Sequence, residues 1–314
     1  GAYSVKVDTP YRRESGETRA KEEGLVEKML MEDVGDESYI CDKGVGQVID
    51  LSKVHNTEHG GKFCRLRGPL NVPRSAHGQP VIVQAVQSES GRTLAAATAE
   101  VIFTSHQHLN TAQDFYRDIK SRARAVGRNP NHVLIMPGVA PFIGRTEEEA
   151  KEKYHKLTSL IVEADGIALL NGLAGGGIDL GKFDPDGPLP PLPVTEGMKS
   201  RPELIRQIAD ENNFTIRQLY QWVATARGHF TVVGSAEQVA DTLQEWFENE
   251  AADGFNVLPP WLPGGLDDFI ELVVPILQKR GLFRTQYEGK TLRENLGLPF
   301  ASNRYSAVRD SKVA

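Results

Sequence analysis

Four places in the chain hold residue types that can do chemistry. The first is the turn Ser88-Glu89-Ser90-Gly91, directly after the apolar run Pro80-Val81-Ile82-Val83-Gln84-Ala85. A turn running from a buried strand straight into a helix gathers backbone N–H groups at the positive end of the helix dipole, which suits a phosphate. Ser88 or Ser90 can add a hydroxyl, and Gly91 permits close backbone approach. An ordinary helix cap is the commoner use of such a serine, and Glu89 opposes an anion unless it points away. The second place is His106 and His108, after Val101-Ile102-Phe103. An H-x-H pair can ligate metal, but no third ligand is identified, so a solvated loop pair is the plainer reading and no metal is assigned. The third is His229, in Arg227-Gly228-His229 before the apolar Phe230–Val233 run. It is either a core histidine satisfied by hydrogen bonds or a general acid/base. The fourth is Trp261, between Pro260 and Pro263, which can cover a flat ligand or seal a rim. Gly172, Gly175, Gly176 and Gly177 make no dinucleotide fingerprint, because no strand leads tightly into a helix there.

The elements that must position these residues are readable from periodicity. Pro80–Ala85 is β-branched and apolar, hence a buried strand. An Ala-rich helix follows from Arg92 to Glu100, then a strand at Val101–Phe103. A helix from about Thr111 sets Phe115, Ile119 and Ala123 on one face and stops at Gly127. Val133–Val139 is a third strand. Thr146 caps a helix whose first turn is Glu147-Glu148-Glu149, the favoured charge for that end. Residues 165–200 break the rhythm with glycines and prolines and read as an insertion. Helices resume at about Arg201–Asn212 and Thr215–Ala226. Ser235-Ala236-Glu237-Gln238 fits a capping box, and its helix spaces Val239, Leu243 and Phe247. Phe255–Leu258 is a fourth strand, and the last helix, near Leu266–Lys279, is expected to bend at Pro275. Trp246, Phe247, Phe269, Ile270 and Val273 are expected in the core. Residues 17–30 show weak helical periodicity, and residues 31–78 read as an irregular connection. Strands alternating with helices, joined by connections too long for hairpins, imply parallel strands and an α/β fold. A closed (β/α)8 barrel needs eight strands, and about four are convincing.

The whole chain narrows the function class. Its 314 residues contain 39% hydrophobic and 25% charged residues, enough apolar material for a sizeable core. The net charge of −6 comes from interspersed acids and bases. No basic face forms, so nucleic acid is not an expected partner. Two cysteines, Cys41 and Cys64, cannot staple a chain this long and are expected as reduced thiols. No apolar run suits a bilayer, no signal segment is visible, and Ser311-Lys312-Val313-Ala314 is not a peroxisomal tripeptide. The cytoplasm is the default address.

Several ordered stretches add a resemblance. They are Arg67-Gly68-Pro69-Leu70-Asn71-Val72-Pro73-Arg74, the Pro80–Ala85 run, and Arg227-Gly228-His229 leading to Val233-Gly234. Then come Ala252-Asp253-Gly254-Phe255-Asn256, Leu262-Pro263-Gly264-Gly265-Leu266-Asp267-Asp268-Phe269, Arg280-Gly281-Leu282-Phe283-Arg284 and Leu292-Arg293-Glu294-Asn295-Leu296-Gly297. Together, from about Leu25 to Pro299, they resemble the bacterial-luciferase-like superfamily, in its nitrilotriacetate and dibenzothiophene-sulfone monooxygenase branch. The resemblance implies a (β/α)8 TIM barrel with a late insertion, matching residues 165–200. It implies reduced FMN (FMNH2) supplied by a separate NAD(P)H-dependent flavin reductase, molecular oxygen, and a C4a-peroxyflavin that oxygenates a small organic substrate. A deazaflavin-binding barrel fits the same superfamily but matches these motifs less well.

The resemblance also assigns residues. A Gly-Ser-Ser-like turn that contacts the FMN phosphate corresponds here to Val86-Gln87-Ser88, so Ser88 and Gln87 are the implied cofactor-binding residues, with Val86 replacing a glycine. His229 matches a histidine near flavin and substrate and is the implied catalytic acid/base. Arg13 and Glu17 stand where the family carries a His-x-x-x-Tyr motif, and Met31 and Val34 stand where tryptophans are usual. The family's first four βα units have no counterpart upstream. The expectation is therefore one domain over 1–314, incomplete at its N-terminus: a C-terminal half-barrel with exposed sheet edges. Such a chain is expected to be weakly active or inactive alone, or to act as a partner-dependent remnant, with pairing into a homo-oligomer as one outcome.

Overall fold

A computed structural model of the chain describes residues 22, 24, 29, 31–36, 38–75, 78–193 and 200–305. Arg13, Glu17 and most of the expected helix over 17–30 lie outside the described residues; Glu22, Gly24 and Met29 are helical. The stretch expected to be irregular contains two antiparallel hairpins. The first is β1 (Tyr39–Asp42) with β2 (Gln47–Ile49), and the second is β3 (His59–Gly60) with β4 (Arg65–Leu66). Both are short, and β1 is exposed along its length. The first shows no in-out alternation, and the second, with two residues per strand, is too short for a sequence reading to detect one.

The positioning framework is a five-stranded parallel sheet of α/β type. It contains β5 (Val83–Ala85), β6 (Val101–Thr104), β7 (Leu134–Gly144), β8 (Phe230–Ser235) and β9 (Asn256–Val257). Between them run α1 (Glu89–Thr98), α2 (Leu109–Ala125), α3 (Glu147–Ser159), α4 (Glu163–Leu173), α5 (Ser200–Asn212), α6 (Ile216–Ala226) and α7 (Ala236–Glu248). After β9 come α8, formed by Gly264–Asp268, a π-helical turn at Phe269–Val273 and Val274–Lys279, and then α9 (Leu292–Asn295). The π turn lies just ahead of Pro275, whose missing N–H cannot join the α ladder.

Long β7 organises the sheet. Its first half pairs with β6, and Val139 pairs with Phe230 of β8 and with Val257 of β9, which places these two strands on opposite edges. Strand β8 is an addition to the four strands expected. Among the described residues β5 pairs only with β6 and β9 only with β7. The expected buried strand at Pro80–Ala85 is thus a short edge, with Val83 59% exposed.

Three hydrophobic clusters hold the layers. Ile102 and Ile135 pack with Phe115, Ile119 and Ala123 of α2 and Ala95 of α1. Val139 and Ile143 pack with Val239, Ala240 and Leu243 of α7 and Phe269, Val273 and Leu277 of α8. A separate helical cluster joins Leu170, Leu180, Leu192, Ile205, Ile216, Leu219 and Tyr220. The described part of 165–200 lies within that helical unit. Trp246 is buried and stacks on Phe230 at 4.7 Å. Phe247 and Ile270, expected in the core, are instead 48% and 51% exposed. Trp246 takes the inward direction at this point of α7, and its neighbour Phe247 must face away. Cys41 is exposed and Cys64 buried, and neither is in a disulfide. No helix of the described residues is long and apolar enough to cross a membrane.

Candidate functional site

Three loops meet where β5 and β6 end. The first is the turn into α1. Ser88 is its N-cap, in extended backbone, and its hydroxyl accepts from the Gly91 N–H at 3.3 Å. The amides of Glu89 and Ser90 belong to the first helical turn, which lacks intrahelical acceptors. Glu89 does not stand against an anion there, because Arg122 of α2 engages its carboxylate at 2.7 Å. Val86, in the place of the family glycine, packs against the Ile102–Phe115 cluster and donates its N–H to Phe103 O at 3.1 Å. Arg92 braces the turn from inside: its Nε donates to Gln87 O at 3.0 Å, and another guanidinium nitrogen donates to Asp118 at 3.0 Å. The guanidinium also lies 4.9 Å over the Phe115 ring.

The second loop, Ser105-His106-Gln107, follows β6. Here the side chain of Gln87 donates to Ser105 O. The Ser105 hydroxyl in turn donates to Gly228 O, and Gln107 Nε2 donates to the same carbonyl at 2.7 Å. His106 contacts Thr104 Oγ1 at 3.1 Å and tilts against Phe115 at 4.9 Å. Burial, with the nearby Arg92 cation, holds its imidazole down at about 4. His108 is not beside it; it faces outward and meets Glu211 at 3.1 Å.

The third loop is the end of α6. Arg227 and Gly228 both have positive φ, 50° and 85°. A left-handed pair of this kind stops a helix and swings the chain aside. His229 then stacks on Phe103, with ring centroids 4.8 Å apart and planes inclined by 23°. Gly138 of β7 makes the space: a Cβ there would lie 2.6 Å from His229 Nδ1 and 2.9 Å from Phe103 Cε2.

The structure thus links the Gln87–Ser88 turn to the Gly228–His229 corner through Ser105 and Gln107. Neither Ser105 nor Gln107 stood out in the sequence, although both flank the noted His106; Arg92 was hidden inside an Ala-rich helix. Trp261 lies elsewhere. It packs on Phe142 at 5.8 Å beneath Gly264 and Gly265, contacts that seal the end of β7.

The parallel strand β5 running into the capped first turn of α1, within an α/β scaffold, is an arrangement that can accept an anion. The chain belongs to the luciferase-like monooxygenase family, whose model matches residues 51–253. It is 47% identical over 290 residues to N-acetyl-S-(2-succino)cysteine monooxygenase of Bacillus subtilis (strain 168), covering 92% of this chain and 66% of that protein. It is 45% identical over 293 residues to nitrilotriacetate monooxygenase component A of Aminobacter aminovorans, covering 92% and 64%. The crystal structure of DmoA from Hyphomicrobium sulfonivorans matches with a TM-score of 0.80 at 29% identity, over 98% of this chain and 66% of that one. The chain therefore spans just under two thirds of the length of these relatives. Nothing in these likenesses supports the expectation that it is inactive.

Proposed function

We propose that this chain is the oxygenase component of a two-component monooxygenase that uses reduced FMN. One observation supports the reading: the hydrogen bonds from Gln87 to Ser105 and from Ser105 to Gly228 tie the first turn of α1 and the His229 corner to one loop at a single rim. Ser88 and the amides of Glu89 and Ser90 would hold the FMN phosphate, and Gln87 would fix the loops around it. Bound there, the reduced flavin supplies the electrons that activate molecular oxygen. The chain's own task is to seat the phosphate, orient the ring system and keep water out. His229, ordered by Phe103 and Gly138, would give or take a proton at the oxygenated substrate.

The substrate class is a small organic molecule, in keeping with the carboxylated substrates named for the two relatives. A separate NAD(P)H-dependent flavin reductase would deliver the cofactor, in keeping with a relative named as one component. Residues 1–314 would belong to a single luciferase-like domain, with residues 165–200 inserted within it. The test is to titrate the purified chain anaerobically with FMNH2, then add oxygen, a flavin reductase and candidate aminopolycarboxylates or S-substituted cysteines. Saturable FMNH2 binding with product formation is expected; failure to bind either oxidation state of FMN would overturn the assignment.

A second reading rests on the strands β5 and β9, each paired on one edge only among the described residues. In it, the chain needs another polypeptide surface on those edges before it turns over. Robust turnover by the isolated 314-residue chain is the result that excludes it.

A further inference from the structure

Away from that rim, Glu22, His59 and Cys64 converge from two separate parts of the chain. His59 Nε2 and Cys64 Sγ each lie 3.1 Å from Glu22 Oε1. The three donor atoms all fall within 4.8 Å of one another. Tetrahedral zinc, with bonds of about 2.0–2.3 Å, holds its donors roughly 3.3–3.7 Å apart, so the two contacts to Glu22 open slightly and the widest gap closes by about an ångström to create the site. We propose that Glu22, His59 and Cys64 form a site for a divalent cation of zinc type, clipping the Glu22 helix to the β3–β4 hairpin.

Three features favour this over a hydrogen-bonded turn alone. The donor set is one thiol, one imidazole and one carboxylate, the mixture borderline cations select. Cys64 is buried and both of its partners are nearly so, which gives the thiolate an apolar wall and shields it from oxidation. Gly61 leaves the room: a Cβ there would lie 1.8 Å from Glu22 Oε1 and 2.5 Å from His59 Nε2. The backbone amides of Phe63 and Cys64 also donate to Glu22, at 3.0 to 3.2 Å. These bonds orient the carboxylate as outer partners of a metal ligand do. Among the described residues the group has three members, which leaves the fourth position to water. On binding, the thiol proton leaves to solvent and sulfur donates its electron pair to the cation; no oxidant or reductant is involved.

The test uses the purified chain stripped with a chelator and titrated with Co2+ as the spectroscopic probe, then with Zn2+ against a chromophoric chelator. One equivalent of cobalt is expected, with thiolate-to-metal absorption in the near ultraviolet. That band should vanish in Cys64→Ser and persist in Cys41→Ser. His59→Gln should keep the band but weaken Zn2+ binding by more than the roughly 10- to 100-fold that loss of an outer partner costs. Circular dichroism checks that each variant is folded. Should Cys64→Ser not fold, the cobalt spectra of the unaltered chain and of Cys41→Ser still decide. Absence of stoichiometric cobalt binding overturns the proposal. So does a cobalt complex without a thiolate band, or one whose band depends on Cys41.

Discussion

At the scale of single residues, Ser88 carries two roles that a substitution can separate. Aspartate caps helices as well as serine does, so Ser88→Asp should leave the stability of α1 within about 0.5 kcal/mol. Its negative charge would sit where the phosphate is proposed to bind. FMN affinity is expected to fall at least ~10-fold while riboflavin, which lacks the phosphate, binds unchanged; fluorescence titration with both flavins checks this. Unchanged affinity for both flavins would mean that Ser88 only caps. His106 offers a second measurement. Its imidazole is held at about 4 by burial and by Arg92, below the ordinary value of 6.5. Between those two values the unfolded chain takes up a proton that the folded chain refuses. Stability is therefore complete above about pH 6.5 and falls as the pH drops toward 4, by roughly 2–3 kcal/mol from this group. Urea denaturation across that range should show a shallower decline in His106→Asn than in the unaltered chain.

At the scale of elements, most of the longer helices and the strands β5, β6, β7 and β9 are legible, whereas α4, inside the stretch read as an insertion, β8 and the two hairpins are not. Thr146, Thr215 and Ser235 each accept from the backbone three residues on, as their caps require, and Gln218 and Gln238 complete capping boxes. Such signals are local, so they survive in the sequence. Strand β8 was missed because its residues are half-buried on both faces apart from buried Gly234, and it runs straight into the Ser235 cap. Hairpin β1–β2 was missed because exposure gives it no pattern. The candidate site divides the same way. Ser88 is a local feature, whereas Gln87 meets Ser105 across 18 positions, and Ser105 meets Gly228 across 123. No spacing rule reaches that far. Gly138 shows how an element carries a site without touching its chemistry. Gly138→Ala places a methyl against His229 and Phe103 and should cost about 1–3 kcal/mol by overpacking. Thermal unfolding measures that cost, and an altered dependence of turnover on pH would report the displaced imidazole.

At the scale of the whole molecule, Arg293 ties α9 to the beginning of the parallel sheet. It is 1% exposed and makes a bidentate pair with Glu100, supplemented by the carbonyls of Gln79, Pro80 and Pro299. Glu100 accepts from Ile82 N at 3.0 Å as well, so the pair sets the entry to β5. Removing one partner leaves a charge in an apolar setting, the costly way to break a buried ion pair. Arg293→Met should lose about 3–5 kcal/mol in urea denaturation, and adding Glu100→Gln should recover part of it. If the two changes simply add, the pair is not the link described. The same architecture explains why residues 280–299 were recognisable by motif while their purpose was not. Arg293 meets Glu100 from 193 positions away.

The carbonyl oxygen of Gly228 receives two side-chain donors, Ser105 and Gln107, from the loop after β6. With both lone pairs taken, that peptide unit has no freedom to rotate, and it is the unit whose nitrogen belongs to His229. The imidazole's aim is thus set in the resting protein instead of being selected when a ligand arrives. Whatever disturbs the β6 loop will be felt at His229 as a change of direction, even with every atom of the ring intact.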